Sequence, residues 1–282
     1  MPPTRRKRRR RRPFLPYFFR VLAAGLLLAL LLTGGVTLAR QGEAVLPTPT
    51  AAAPLPESSS APLPSSTPAP APMPEPEAPY DYAAPVPEAE AVGDDWFSDA
   101  AFVGDSRTEG LCLYSGVQPG ACLAYRGLTV QSARTEASIR VNGEKMTALE
   151  GLERGAYGKV YVMLGVNELG WYNDQRYYDN YADLIDLIRE VQPEAQIYLQ
   201  TLIPVTSKKS AGSYINNPQI LVYNDIIAQL AEEKQVFLVD VWSAFAEADG
   251  ALDEAGSVDG VHLTRSYYQR WLDYLKAHTV AE

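Results

Sequence analysis

Hydrophobic positions follow three different patterns along the chain. Val21 to Ala39, VLAAGLLLALLLTGGVTLA, is apolar without a charge. From 40 to 92 no period holds. Beyond that, short apolar runs alternate with segments whose apolar residues recur at helical spacing. The runs AAFVG (100–104), ACLAY (121–125), KVYVML (159–164), AQIYLQTLI (195–203) and VFLVDV (236–241) read as strands. A helix is predicted from about Arg107 to Tyr114. Gln175 to Val191 carries Tyr178, Tyr181, Leu184, Ile185 and Ile188 in helical register. Pro218 to Lys234 does so with Ile220, Tyr223, Ile226, Ile227 and Leu230, and Thr264 to His278 with Tyr267, Tyr268, Trp271, Leu272 and Leu275. Short apolar strands separated by helices predict a parallel sheet covered on both faces. The expected fold class is α/β: a three-layer α/β/α, flavodoxin-like sandwich whose five-stranded parallel sheet has the order 2-1-3-4-5. In such sheets ligands bind beyond the carboxyl ends of the strands.

The remainder of the chain divides by composition. Residues 5–12 read RRKRRRRR, and the apolar stretch 21–39 follows. About 20 apolar residues match a bilayer core. A basic run alone also fits nucleic-acid binding, but its place before an apolar span points to a membrane, with the basic end cytoplasmic. The expected layout is a basic cytoplasmic segment (1–20), a transmembrane signal-anchor (21–39), a Pro/Ala/Ser-rich disordered linker (40–92) and a globular domain (93–282). A cleaved signal peptide, with TLA at 37–39 as its cleavage site, is the alternative. Fourteen of the 22 prolines lie between 41 and 90. Such a segment stays extended and in polyproline II form reaches at most roughly 160 Å. The expected location is the cell membrane, single-pass, with the domain extracellular, or secreted if the signal is cleaved.

Charge and cysteines narrow the function. After position 92 the chain has 15 Lys and Arg against 27 Asp and Glu. That acidic balance argues against a nucleic-acid partner for the domain. Cys112 and Cys122 either pair, as extracellular cysteines do, or remain buried thiols. With only His262 and His278 in the chain, and no ligand-spaced cluster around them, no metal site is expected.

Chemistry-bearing residues fall at the predicted strand ends. Gly-Asp-Ser (104–106) follows the first strand, Gly127 the second, GVNELGW (165–171) the third, and SVDGVHL (257–263) comes beyond the fifth. A serine hydroxyl needs a base to become a nucleophile. His262 is the candidate base for Ser106, and Asp259, three residues before it, can orient the imidazole. That support matters because His262 precedes a helix, whose positive end disfavours a charged imidazole. An oxyanion requires preorganised donors; the N–H of Ser106, the N–H of Gly127 and the Asn167 amide converge in the expected strand order. Gly116 and Gly120 are alternatives to Gly127.

The blocks GDS, a downstream Gly, GxN and DGVH, in this order, resemble those of the SGNH, or GDSL, hydrolase family. The resemblance covers roughly 95–280. It implies a three-layer α/β fold and ester hydrolysis or acyl transfer without a cofactor. It implies Ser106 as nucleophile, His262 as base, Asp259 as its partner, and Ser106, Gly127 and Asn167 as the oxyanion hole. Two positions depart from the family pattern: Glu168 stands where Asp is usual, and Arg107 follows the serine. Arg107 either faces the site, favouring a negatively charged substrate, or is a surface helix residue. Trp171 and Tyr172 either border the cleft and stack on a sugar or pack over their loop. The expected substrate is an O-acyl, foremost O-acetyl, ester on cell-envelope or extracellular carbohydrate. A lipase, lysophospholipase or thioesterase acting on longer chains is the alternative, and a non-catalytic surface binding module is another.

Overall fold

The structure, a computed structural model, describes residues 80–280. The expected basic segment, membrane span and most of the linker lie outside the described residues. Among the described residues no helix is long and apolar enough to cross a membrane.

The strands are β1 (Ala100–Gly104), β2 (Ala121–Ala124), β3 (Ile139–Val141), β4 (Glu144–Met146), β5 (Lys159–Met163), β6 (Gln196–Gln200) and β7 (Phe237–Val239). Five of them make a parallel sheet in the order β2-β1-β5-β6-β7, the order expected from the sequence. β3 and β4 form a separate antiparallel hairpin that was not predicted. The helices are α1 (Ser106–Tyr114), α2 (Ser132–Thr135), α3 (Ala148–Leu152), α4 (Asp174–Val191), α5 (Ser207–Ala211), α6 (Asn217–Lys234), α7 (Val241–Phe245) and α8 (Arg265–Ala277). Helix α1 packs against α8, and α4 against α6. Right-handed crossovers place the first pair on one face of the sheet and the second on the other.

The central strands are buried on both faces, and β1 and β5 have no exposed position. That is why they read as continuous apolar runs rather than as alternation. One face carries an aromatic ladder set by the strand register. Phe102 stacks on Tyr161 at 5.0 Å, Tyr161 on Tyr198 at 4.6 Å, and Tyr198 meets Phe237 at 5.1 Å. Each such cross-strand pair contributes up to about 1 kcal/mol relative to a pair of alanines. The ladder fixes β1, β5, β6 and β7 in register, so the loops at their carboxyl ends start from a rigid edge.

Two findings bear on the chain's organisation. The linker was expected to run to 92, yet residues 80–92 pack on the domain. The N–H of Val86 donates to Leu238 O at 2.8 Å, and those of Ala89 and Val92 donate to Ala277 O and Lys276 O. Val86 is buried, and Tyr80 packs edge-on against Phe237. The segment covers β7, which would otherwise be an open sheet edge; its prolines masked that role in the composition. Cys112 of α1 and Cys122 of β2 are disulfide-bonded, with Cα atoms 6.4 Å apart.

Candidate active site

Gly104 ends β1 where a side chain has no room. A Cβ there would lie 2.0 Å from Thr108 Oγ1 and 2.7 Å from Met163 O. Asp105 then caps α1: its Oδ1 accepts from the Arg107 N–H at 2.8 Å. Ser106 is therefore the first residue of the helix, where backbone N–H groups lack intrahelical partners and the dipole is positive.

The segment between Ser257 and Leu263 is a tight hairpin-like loop. The N–H of Val258 and the Ser257 hydroxyl both donate to His262 O, at 2.9 and 2.8 Å. Asp259 Oδ1 accepts from the N–H groups of Val261 and His262, at 2.9 and 2.8 Å. Those bonds leave Asp259 Oδ2 facing the ring, 2.7 Å from His262 Nδ1. The far ring nitrogen, Nε2, lies 2.8 Å from Ser106 Oγ. Burial pushes the Asp259 carboxyl up, but the hydrogen bonds from the His262 N–H, its ring and the Val261 N–H outweigh it. The group stays below the usual carboxylate range. An ionised Asp259 then holds the Nδ1–H tautomer and leaves Nε2 free to take a proton.

Hydrogen bonds to two backbone carbonyls join three loops at this edge. The Tyr125 N–H donates to Gly104 O at 3.1 Å, and Asn167 Nδ2 donates to Leu128 O at 2.9 Å. The loops after β1, β2 and β5 are thereby held together, with Gly127 at a positive φ of 79° between the two links. One amide hydrogen of Asn167 is used by Leu128; the other is available to a ligand.

Beneath Ser106 lies a second charged group. Asp105, Arg107 and Glu168 are fully buried. Arg107 Nη1 donates to Ile203 O at 2.8 Å, and Glu168 Oε1 accepts from the Val130 N–H at 2.7 Å. Among the described residues, Arg107 Nε and Nη2, Asp105 Oδ2 and Glu168 Oε2 have no hydrogen-bond partner. Burial pushes Glu168 up to about 8, against the Val130 N–H and assisted by the Asp105 carboxyl. Burial also raises Asp105 and lowers Arg107, with the charges of the pair opposing both shifts. A guanidinium keeps its proton in proteins, so the carboxyls are the groups that yield.

The expected substrate contacts need correction. Arg107 is sealed inside, linking the ends of β1 and β6, and offers nothing to a substrate. Trp171 packs against the core with the Arg176 guanidinium 4.1 Å from its ring centroid, so that ring face is already taken. Tyr172 is 85% exposed at a left-handed turn. Neither aromatic lines the two cavities that border the row from Ser106 to Asp259. The first, about 710 Å³, is bordered by Ser106, Leu113, Arg126, Val258, His262 and Arg265. The second, about 440 Å³, is bordered by Lys208, Lys209, Glu254, Val258, Asp259 and Gly260. Among the described residues no cluster suited to a metal ion is present.

This arrangement meets a match in sequence. Residues 102–270 fit the model of the GDSL-like Lipase/Acylhydrolase family. The chain belongs to that family. It is by membership a carboxylic ester hydrolase. Two solved structures carry the same fold. A Streptococcus pneumonia protein bearing the name platelet activating factor is 24% identical, with a TM-score of 0.51, over 63% of this chain and 82% of its own. A GDSL-like lipase of Parabacteroides merdae is 18% identical, with a TM-score of 0.51, over 69% of this chain and 99% of its own. No curated protein matches the chain. Within this acylhydrolase, the two departures from the family pattern, Arg107 and Glu168, belong to one buried group. Their coupling was the signal that sequence reading missed, because each was weighed alone.

Proposed function

We propose that this acylhydrolase is an extracytoplasmic serine esterase that removes, or transfers, O-acyl groups, foremost O-acetyl, from cell-envelope or extracellular carbohydrate. The observation that carries the reading is the row Ser106 Oγ, His262 Nε2, His262 Nδ1, Asp259 Oδ2, with contacts of 2.8 and 2.7 Å. Ser106 Oγ attacks the ester carbonyl carbon while His262 Nε2 takes its proton. Asp259 steadies the imidazolium that forms. The N–H groups of Ser106 and Gly127 and the free amide hydrogen of Asn167 stabilise the oxyanion. His262 returns its proton to the leaving alkoxide. A water, or an acceptor hydroxyl, then releases the acyl group from Ser106 by the same route. A binding module has no need of a base so oriented.

The location rests on the basic run 5–12, the apolar span 21–39 and the Pro-rich spacer. The Cys112–Cys122 disulfide supports it, since such bonds persist in oxidising compartments. Protease added to intact cells should remove the domain, and protection would contradict the orientation. Acetate release from purified envelope polysaccharide by the full chain tests the substrate; no release above that of Ser106→Ala would overturn it. A second reading, hydrolysis of longer acyl chains, draws on Leu113 and Val258. These are 64% and 68% exposed and border the cavity beside Ser106. A preference for p-nitrophenyl octanoate over the acetate would favour it.

A further inference from the structure

With Arg107 buried, the basic residues that line the two cavities are others. Among the described residues, every basic side chain has an ion-pair, hydrogen-bond or ring partner except Arg126, Lys145, Lys208, Lys209 and Arg265. Some are held by acids, as Lys159 is by Asp99 and Arg134 by Asp183. Others sit on carbonyls or rings, as Arg270 and Arg176 do. Of the five that remain, all but Lys145 border the two cavities at the catalytic row. Lys145 lies on the β3–β4 hairpin.

Their placement is built into the fold. Lys208 and Lys209 stand on α5, which is tied to the catalytic loop. The Thr206 N–H, at the start of α5, donates to Gly260 O at 3.0 Å. Lys209 packs so closely on Gly260 that a Cβ there would lie 2.8 Å from the Lys209 Cβ. The lysine pair therefore borders the cavity beyond Asp259. Arg126 and Arg265 border the cavity that holds Ser106 and His262. Val258 lines both, so the two cavities adjoin. The linings also hold acids, Glu109 beside the arginines and Glu254 and Asp259 beside the lysines, and none of them pairs with these cations.

The surrounding domain is strongly acidic, with 27 acidic against 15 basic residues after position 92. In such a domain, four unpaired cations around one cleft focus a local field that attracts anions. A single small anion would need only one pair. One pair beside the nucleophile and a second beyond Asp259 fit a chain with repeated negative charges.

We propose, building on the esterase reading, that the cleft takes an acylated polyanion. In this substrate carboxylate or phosphate groups flank the ester and sit against Lys208 and Lys209 on one side and Arg126 and Arg265 on the other. The polymer's charge positions its ester over Ser106.

The test uses the full chain and three O-acetylated polymers: dextran, polygalacturonate and phosphorylated dextran. The readout is the ratio of kcat/KM on a charged polymer to that on dextran, taken within each protein so that losses in folding cancel. For the native chain this ratio is expected to be about tenfold or more at low salt and to fall as salt rises. In the variant carrying R126Q, K208Q, K209Q and R265Q it should drop to near one. Whichever charged polymer gives the larger ratio identifies carboxylate or phosphate as the recognised group. A native ratio near one, or an unchanged ratio in the variant, overturns the proposal. If no acetyl ester is turned over, p-nitrophenyl acetate included, it is the esterase reading that fails. Affinity electrophoresis through unacetylated polygalacturonate and phosphorylated dextran then decides. The basic run 5–12 retards both proteins equally, so only a greater retardation of the native chain supports the proposal, and equal retardation overturns it.

Discussion

Asp105, Ser106 and Arg107 are consecutive, yet they belong to two regions that treat charge in opposite ways. The row from Ser106 through His262 to Asp259 lies open to solvent, with each polar atom opposite a partner. The Asp105, Arg107 and Glu168 group directly beneath is sealed from solvent and only partly paired. The difference comes from the start of α1. As helix cap, Asp105 turns inward, Ser106 takes the half-buried first position facing the cavity, and Arg107 follows the next position into the interior. The upper region is suited to move a proton. The lower one buries an arginine and two carboxyls where the loops after β1, β5 and β6 meet, and desolvation pushes the carboxyls towards their neutral forms.

That division makes the two regions separable by mutation. His262→Ala should reduce kcat on p-nitrophenyl acetate by on the order of 10⁴-fold and leave the melting temperature nearly unchanged. Retained turnover would remove the base from the scheme. Arg107→Met should do the reverse. It leaves the buried Ile203 carbonyl without its donor, at about 1–3 kcal/mol of stability by denaturant titration, with much less effect on turnover by the folded fraction. A stability loss below about 1 kcal/mol would show that the lower group is not a structural clamp. Asn167→Ala touches the boundary between the regions. It should lower kcat about 10²-fold with little change in KM for the acetyl ester, and a pure KM effect would argue against an oxyanion donor.

A separate effect lies in the pH dependence. Folded Glu168 keeps its proton up to about 8, whereas in the unfolded chain it loses it near the ordinary 4.5. Between those values the folded state binds more protons. Its contribution to stability is therefore fully present below about 4.5 and is lost as pH rises towards 8. Urea titrations across this window should show the decline, and Glu168→Gln should flatten it. A stability that rises through the same window in both proteins would contradict the assignment. The double variant Arg107→Met with Glu168→Gln should lose less than the sum of the single changes, by about 1 kcal/mol, because the Glu168 carboxyl acts on the Arg107 charge.

The upper region was legible in the sequence and the lower one was not. The strands β1 and β5 read as uninterrupted apolar runs, which gave the sheet and hence the edge where GDS, Asn167 and DGVH had to meet. Asp259 and His262 are three residues apart, so one loop sufficed to pair them. Arg107 was harder because α1 inverts the ordinary pattern. It buries Arg107, Thr108 and Gly110 while Leu113 and Tyr114 face solvent, so periodicity pointed the wrong way. Trp171 gave no hint that Arg176, beyond a left-handed turn at Tyr172, would cover its ring. The β3–β4 hairpin has three-residue strands, too short for a period. Its one available signal is Asn142–Gly143, both at positive φ. The cations around the cleft come from α5, α8 and the loop after β2, and no local pattern marks them as neighbours.

The account turns on Ser106 being the atom that carries the acyl group. Rapid quenching of the full chain with p-nitrophenyl acetate, followed by peptide mapping by mass spectrometry, addresses that directly. The account predicts an acetyl adduct on the peptide containing Ser106 that builds up at the rate of the initial burst and is missing from Ser106→Ala. Turnover with no adduct on Ser106, or turnover that persists in Ser106→Ala, would contradict it.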